Sequence, residues 1–426
     1  MYLLAVSAAF ACHLNNASLA QHPSLAPSSL TLGAATKAAL TNNSTARAGA
    51  QQLAQSQARA AQSEAQRRLQ ITFNSAVSGS DARVIQPPPS HETFGTFTNT
   101  ITVPLPLGTR PRLAVTQSKE QFAAAQAQYA SVRLALIGQV NSAYYDLLRK
   151  QALLAVAEDA QTQAQRQLTE AQRRNQAGDV PELDVQRAQV PVASAQAGLY
   201  QAQNAVVVAR QALNSLIGQP LDSPLVVSEP VTANAVIPYT LDQARTLALA
   251  SSPDIQAADA TVRADEAALQ LSRLSREPTF ALQASDLRSN DQTSFSRLDT
   301  VQASVTVPLS DGGLAQAQVQ EAHSALDQAR SQAEVARQTA LVNVSSAYLT
   351  AQSSRQQVAA AKVAQDVAET TYEKTLKGYQ NGLFPLSDVL NSQTALSQTR
   401  ISYTQAVYDA EVAVSTLENA VGKGIQ

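Results

Sequence analysis

The sequence predicts a mainly α-helical chain with a membrane β-barrel portion, organised as two tandem repeats, each a long helical hairpin plus two β-strands. Three observations lead there. The skeleton G-x-x-P-x-x-D-V occurs twice, as GDVPELDV at 178–185 and as GLFPLSDV at 382–389, a shift of 204 residues. Ala and Gln dominate tracts such as EQFAAAQAQYASVRLALIGQV (120–140), a composition that favours long helices with a narrow apolar stripe. In each half the hydrophobic period changes once from 3.6 to 2, at the same place in the repeat.

Composition removes several function classes. The 426 residues carry 31 basic and 33 acidic side chains, so no basic excess points to nucleic acid and no acidic tail to a solvated arm. Trp is absent and aromatics make up only 4%, which suits packing through small residues along extended interfaces. One cysteine, Cys12, excludes a disulfide framework and a Cys-based zinc site. The four histidines (His13, His22, His91, His323) are scattered and are not read as metal ligands. No run of about 18 apolar residues marks a membrane-spanning helix. No nucleophile–base–acid set, phosphate loop or cofactor motif appears, so neither an enzyme nor a cofactor is expected.

Residues 1–29 read as an atypical signal or N-terminal segment. MYLLAVSAAFAC has an apolar core, and Ser18-Leu19-Ala20 suits a cleavage site, but a positive leading region is missing. A start upstream and a lipid on Cys12 both stay open. Ala9-Phe10-Ala11 fits a lipid-attachment signal poorly, which favours Cys12 as an ordinary residue of that segment.

The duplication organises the rest. At the shift of 204, Val103-Pro104-Leu105 falls on Val307-Pro308-Leu309, Ser142-Ala143-Tyr144 on Ser346-Ala347-Tyr348, Leu213 on Leu417 and Gly218 on Gly422. Upstream the shift is 209, placing Leu32, Ala35 and Leu40 on Leu241, Ala244 and Leu249. The slip lies near 74–100. Repeat 1 covers 30–219 and repeat 2 covers 239–426, joined by the Pro- and Val-rich linker 220–238.

Each repeat opens with a helical stretch, 32–68 and 241–277. Strands follow at about 69–78 and 94–105, and at about 279–286 and 297–309, with polar loops between. Phe97, Ile101, Val103 and Leu105 alternate with Thr98, Thr100 and Thr102; Val301, Ala303, Val305 and Val307 alternate with Gln302, Ser304 and Thr306. Strands of about ten residues, apolar on one face and small-polar on the other, suit a transmembrane barrel. A soluble hairpin with one face on a core fits the same pattern. Four strands cannot close a membrane barrel, and lipid tolerates no open edge, so a spanning barrel requires several chains; three would supply twelve strands.

A very long helix comes next, 110–177 in repeat 1 and 312–381 in repeat 2. Pro111 sits in the first turn of one, and Ser310 or Asp311 is placed to cap the other. At 1.5 Å per residue each spans roughly 100 Å and must lie beside other helices. The return helices, 182–217 and 385–421, are about half as long. Stacked end to end with 32–68 and 241–277 they match the long ones, giving a wall two helices wide per repeat. Pro191 inside 182–217 predicts a kink. Tyr144 and Tyr348 are read as packing residues.

The two octets lie where these helices reverse. Gly178 and Gly382 tolerate the positive φ that a helix end needs, and Pro181 and Pro385 suit the first turn of a returning helix. Asp184 and Asp388 fall in first turns, where a carboxylate is favoured by the helix dipole. Arg187 is three residues from Asp184 and positioned to pair with it.

With the tandem repeat, the strand-end signatures VPLPLG and VPLSDGG, and YEKTLKGYQNGLFPLSDVLNSQTAL (372–396), the chain resembles the outer membrane efflux protein family of TolC-like outer membrane factors over about 30–426. The resemblance implies a homotrimer with a twelve-stranded β-barrel in the lipid of the outer membrane and a twelve-helix α-barrel in the periplasm, the linker 220–238 lying at its equator. Its partners would be a periplasmic adaptor at the helix tips and an inner-membrane transporter. It further implies that Asp184 and Asp388 line the periplasmic constriction, a role weighed evenly against simple capping, and that Tyr379 latches the entrance by hydrogen bonds. The family's latch arginine and second aspartate are replaced by Phe384 and Asn391, so the closed state is expected to rest on Phe384 packing and Tyr379. Two rivals remain: a periplasmic adaptor, which should carry a single hairpin within a β-domain, and a coiled-coil scaffold, which leaves the paired strands unexplained.

Overall fold

The structure, a computed structural model, describes residues 30–84, 90–227, 236–290 and 295–422. Segment 1–29, with Cys12, His13 and His22, lies outside the described residues. Twelve elements follow in order: α1 (Leu32–Asn42), α2 (Ser44–Gln66), β1 (Thr72–Val84), β2 (Ser90–Leu105), α3 (Arg110–Gln176), α4 (Glu182–Ile217), α5 (Leu241–Ser251), α6 (Pro253–Arg273), β3 (Thr279–Asn290), β4 (Phe295–Thr306), α7 (Leu314–Gln380) and α8 (Leu386–Ala420). No described helix is long and apolar enough to cross a membrane.

The long helices α3 and α7 have 67 residues each. Toward the reversals α3 packs on α4 and α8, and α8 on α7, giving a layer ordered α4-α3-α8-α7. Toward the strands the order is α2-α3-α6-α7. Each layer is therefore four helices wide, with α7 on one edge and α2 or α4 on the other. Ion pairs lace neighbours together: Lys119–Glu64 at 2.8 Å, Arg263–Glu120 at 2.7 Å, Arg330–Glu266 at 3.1 Å and Arg337–Asp259 at 2.6 Å. Exposed pairs of this kind contribute at most about 1 kcal/mol each, so apolar packing must hold the wall.

That packing repeats. In repeat 1, Ala35, Ala39, Val140, Tyr144, Leu147, Leu213 and Ile217 form one buried core; in repeat 2, Ala244, Ala248, Val344, Ala351, Leu417 and Val421 form its counterpart. The Tyr144 hydroxyl donates to the Leu30 carbonyl oxygen at 2.9 Å, and Tyr348 packs against the second core. Small side chains on α1 and α5 let these short helices lie close against the long ones.

The reading of 32–68 and 241–277 as single helices is corrected, because each is broken. Asn43 has extended backbone, accepts from the Thr45 amide at 2.8 Å and donates to the Leu216 carbonyl at 2.9 Å. It caps α2 and ties it to the end of α4. Ser252 precedes Pro253, whose ring disfavours helical backbone at the residue before it. The ends of the return helices press against these breaks. A methyl at Gly218 would fall 2.7 Å from Asn42 Cβ, and one at Gly422 2.9 Å from Ser251 Oγ. In this way α2 and α4, and α6 and α8, form composite struts alongside α3 and α7. α4 continues through Pro191 without interruption.

The strands form one antiparallel sheet ordered β1-β2-β3-β4. β1, β2 and β3 extend further than the alternating pattern suggested, reaching Val84, Ser90 and Asn290 through residues assigned to polar loops. Ladder hydrogen bonds come from the backbone, so pairing continues where side chains turn polar. β4 ends earlier than expected, at Thr306, just before Pro308, which has no amide to donate. Register separates the faces. Phe73, Ile101, Ala284 and Val301 lie side by side across all four strands, as do Thr72, Thr102, Gln283 and Gln302 on the opposite face. The apolar face is bare: Phe73 is 62% and Val301 85% exposed. A surface of that kind requires a non-aqueous neighbour.

Candidate functional site

The reversals of the two hairpins come together. Leu168 and Ala171 of α3, Ala188 of α4, Tyr379 of α7, and Leu386 and Val389 of α8 share one buried cluster, with Val185, Val192, Tyr372 and Leu376 at its margin. Of the reversal residues singled out in the sequence, the cluster itself contains Tyr379.

Both turns have the same construction. Gly178 (φ +83°) and Gly382 (φ +74°) adopt left-handed backbone. The Asp179 amide donates to the Arg174 carbonyl at 2.9 Å and the Gly178 amide to the Asn175 carbonyl at 2.9 Å. The matching bonds in repeat 2 are Leu383 to Gly378 at 2.8 Å and Gly382 to Tyr379 at 3.0 Å. These satisfy carbonyls that a helix end otherwise orphans. Pro181 and Pro385 stand one residue earlier than expected, at the N-cap positions of α4 and α8, with φ −72° and −73°.

The two aspartates differ. Asp184 is mostly buried, its side chain 16% exposed, and Arg187 Nη1 lies 3.7 Å from its Oδ1. Asp388, in the first turn of α8, is half-buried; Ser387 Oγ donates to it at 3.5 Å, and no ion pair to it occurs among the described residues.

Tyr379 is buried against the tip core, 6% exposed. Its hydroxyl has no hydrogen-bond partner among the described residues. Instead the ring is covered by Arg174 of α3, whose guanidinium carbon stands 4.7 Å from the ring centroid. Arg174 also donates to the carbonyl oxygens of Tyr379, at 3.0 Å, and Gln380, at 2.9 Å. It thus neutralises the negative end of the α7 dipole while stacking on an aromatic face. Glu170 Oε1 holds it from behind at 3.7 Å. Arg174 went unnoticed in the sequence, although a cation in the last helical turn before a reversal glycine is a recognisable signal.

Phe384 does not stand free either. Its ring folds onto α7 at Gly378, where a methyl group would lie 2.1 Å from Cδ2; the outer part stays exposed. Farther from the turn, Gln167 Nε2 donates to the Tyr372 hydroxyl at 2.8 Å, tying α3 to α7, and burial pushes that phenol's pKa upward. His323, by contrast, is exposed on α7 with Nδ1 3.0 Å from Asp327.

Comparison with known proteins agrees with this architecture. A family model described as "Outer membrane efflux protein" matches residues 35–219 and 244–423, one match per repeat. The outer membrane efflux protein BepC of Brucella suis is 26% identical over 318 residues, spanning 72% of this chain and 69% of that protein. Among solved structures, CusC superposes with a TM-score of 0.82 at 19% identity, covering 92% of each chain. The outer membrane protein VceC of Vibrio cholerae gives 0.78 at 21% identity, covering 93% of this chain and 97% of its own.

Proposed function

The chain belongs to the outer membrane efflux protein family, and from that premise we propose that three copies close a twelve-stranded barrel in the outer membrane and a twelve-helix barrel in the periplasm. The assembly is the exit duct of a tripartite efflux or secretion system. Substrates reach it from an inner-membrane transporter through a periplasmic adaptor that docks on the helix tips, and the duct performs no chemistry of its own.

The observation that carries this reading is the sheet. Its two edge strands, β1 and β4, have no outer neighbour among the described residues, and one face is apolar and exposed while the other is mostly Thr, Ser, Asn and Gln, with Leu287 and Leu298 toward the hairpin end. Lipid accepts such a surface only if the edges are closed by further copies. The apolar face then meets lipid and the polar face a water-filled lumen. A soluble adaptor or scaffold leaves that face without a neighbour.

At the tip, Asp388 and, more weakly, the Arg187-paired Asp184 supply carboxylate rings that favour cations. Arg174 and Phe384 hold the entrance narrow, and the turns at Gly178, Pro181, Gly382 and Pro385 present the adaptor surface. The test is fractionation with gels run on unheated samples, followed by conductance in planar bilayers. A heat-dissociable trimer in the outer-membrane fraction that conducts ions is expected; a soluble monomer overturns the reading.

A further inference from the structure

Among the described side chains, four charged ones stand on the apolar face of the sheet, just beyond its apolar rows. Register sets Asp286 directly opposite Asp299, and Arg288 directly opposite Arg297. Arg288 Nε lies 3.2 Å from Asp286, Arg297 Nε 3.3 Å from Asp286, and Arg297 Nη2 3.1 Å from Asp299. Like charges directly opposite one another destabilise a ladder, and alternating them would neutralise the same four groups better. The arrangement is instead polarised. The aspartates face the apolar rows, and the arginines lie one row nearer the hairpin end, beside Val77 and Phe97.

Depth gives the arginine row its meaning. The apolar rows run from Leu105, Phe280 and Val305 to Phe73, Ile101 and Val301, and the chain beyond β4 adds Val307 and Leu309 below. From Thr306, the end of β4, to Arg297 is nine residues, roughly 30 Å of strand at 3.3 Å each. At a strand tilt of about 40° that is roughly 23 Å of height, close to the roughly 25 Å apolar band of an outer-membrane barrel. Arg288 and Arg297 then sit at the headgroup level, on the side away from the helices. Both stay accessible, their side chains 45% and 57% exposed.

We propose that Arg288 and Arg297 form a clamp for the phosphate of a phosphorylated lipid headgroup in the outer leaflet, with Asp286 and Asp299 holding the guanidiniums in position. Paired guanidiniums match phosphate oxygens in a bidentate manner that Lys does not reproduce. Phe97 and Val77 in the same row offer apolar contact to the adjoining part of the lipid. Three copies of the clamp would ring the barrel. The inference rests on the channel reading, which places this face in lipid.

The trimer is reconstituted in nanodiscs of neutral phospholipid doped with a phosphorylated glycolipid or with its dephosphorylated form, and retained lipids are counted by native mass spectrometry. Wild type is expected to retain the phosphorylated form preferentially. Arg288→Gln with Arg297→Gln should lose that retention on the order of tenfold, and the double Lys variant, which keeps the charge and guards against misfolding, should lose part of it. Millimolar inorganic phosphate should not displace the lipid; displacement would make the site a free-anion site and overturn the lipid assignment. Equal retention of both lipid forms, or undiminished retention by the Gln variant, also overturns the clamp. Failure of wild type to insert into the bilayer at all is a different result and counts against the channel reading.

Discussion

Arg174 stacks over the ring of Tyr379 and donates a hydrogen bond to the carbonyl oxygen of the same residue. One side chain of the first hairpin thereby grips both the aromatic face and the backbone end of the second. Arg174→Ala removes two charge-assisted hydrogen bonds from a mostly buried group, a loss of about 2–4 kcal/mol at the tip. The expected outcome is a higher closed-state conductance in planar bilayers and faster amide exchange around 376–384. Tyr379→Phe should leave both nearly unchanged, because its hydroxyl has no hydrogen-bond partner among the described residues. If Tyr379→Phe opens the channel as much as Arg174→Ala, the grip is misassigned.

Phe384 and Gly378 should prove coupled. The ring occupies the space a Cβ would fill, so Gly378→Ala expels it from its seat on α7. Gly378→Ala alone is expected to destabilise the tip, and Phe384→Ala alone to raise leak. The double variant should cost less than the sum, with a coupling of about 1 kcal/mol by a double-mutant cycle on thermal dissociation of the trimer. Strict additivity would mean that the ring leaves Gly378 in solution.

The duplication was the most legible feature, because helix reversals and period-2 strands constrain residue type locally. Gly178 and Gly382 need positive φ, and Pro181 and Pro385 need fixed φ, so both turns announce themselves. The helix breaks at Asn43 and Ser252 were missed for a physical reason. Each depends on contact with a return helix about 170 residues away, through Asn43 to Leu216 and Ser251 to Val421. The Ser252-Pro253 pair was nonetheless a readable local signal. The strand extensions were hidden because backbone pairing outlasts the hydrophobic alternation. The place of Arg174 in the last turn of α3 marked it as a helix-end cation, but its grip on the second hairpin could not be read locally, because its partners, Tyr379 and Gln380, are 205 and 206 residues away.

Ion selectivity should depend unequally on the two aspartates. Asp184 is partly neutralised by Arg187 at 3.7 Å, whereas Asp388 has no ion pair among the described residues. Asp388→Asn is expected to reduce cation preference clearly, and Asp184→Asn to reduce it little. Arg187→Ala should increase it by releasing the Asp184 charge. Reversal potentials in a salt gradient report all three. An effect of Asp184→Asn equal to that of Asp388→Asn would show that Arg187 does not shield its neighbour.

The junction between sheet and α7 should lose stability in acid. Asp311 meets Arg276 through two contacts, at 2.5 and 3.1 Å, and accepts from the amides of Ala315 at 2.9 Å and Gly313 at 3.2 Å. The Arg276 guanidinium first, then the amide donors, hold its carboxyl far below the usual carboxylate range. A depressed folded-state pKa means that the stabilisation is complete above the unfolded value, near pH 4. It declines as pH falls from there toward the folded value and is not restored at lower pH. Asp311→Asn keeps some capping but forfeits the ion pair, so it should destabilise the protein at pH 7. The gap between wild type and variant should narrow as the medium is acidified below about pH 4. Thermal dissociation of the trimer from pH 7 to pH 3 measures this. A gap that stays constant through the acid range would mean that the Asp311 charge contributes nothing and that only its cap geometry matters.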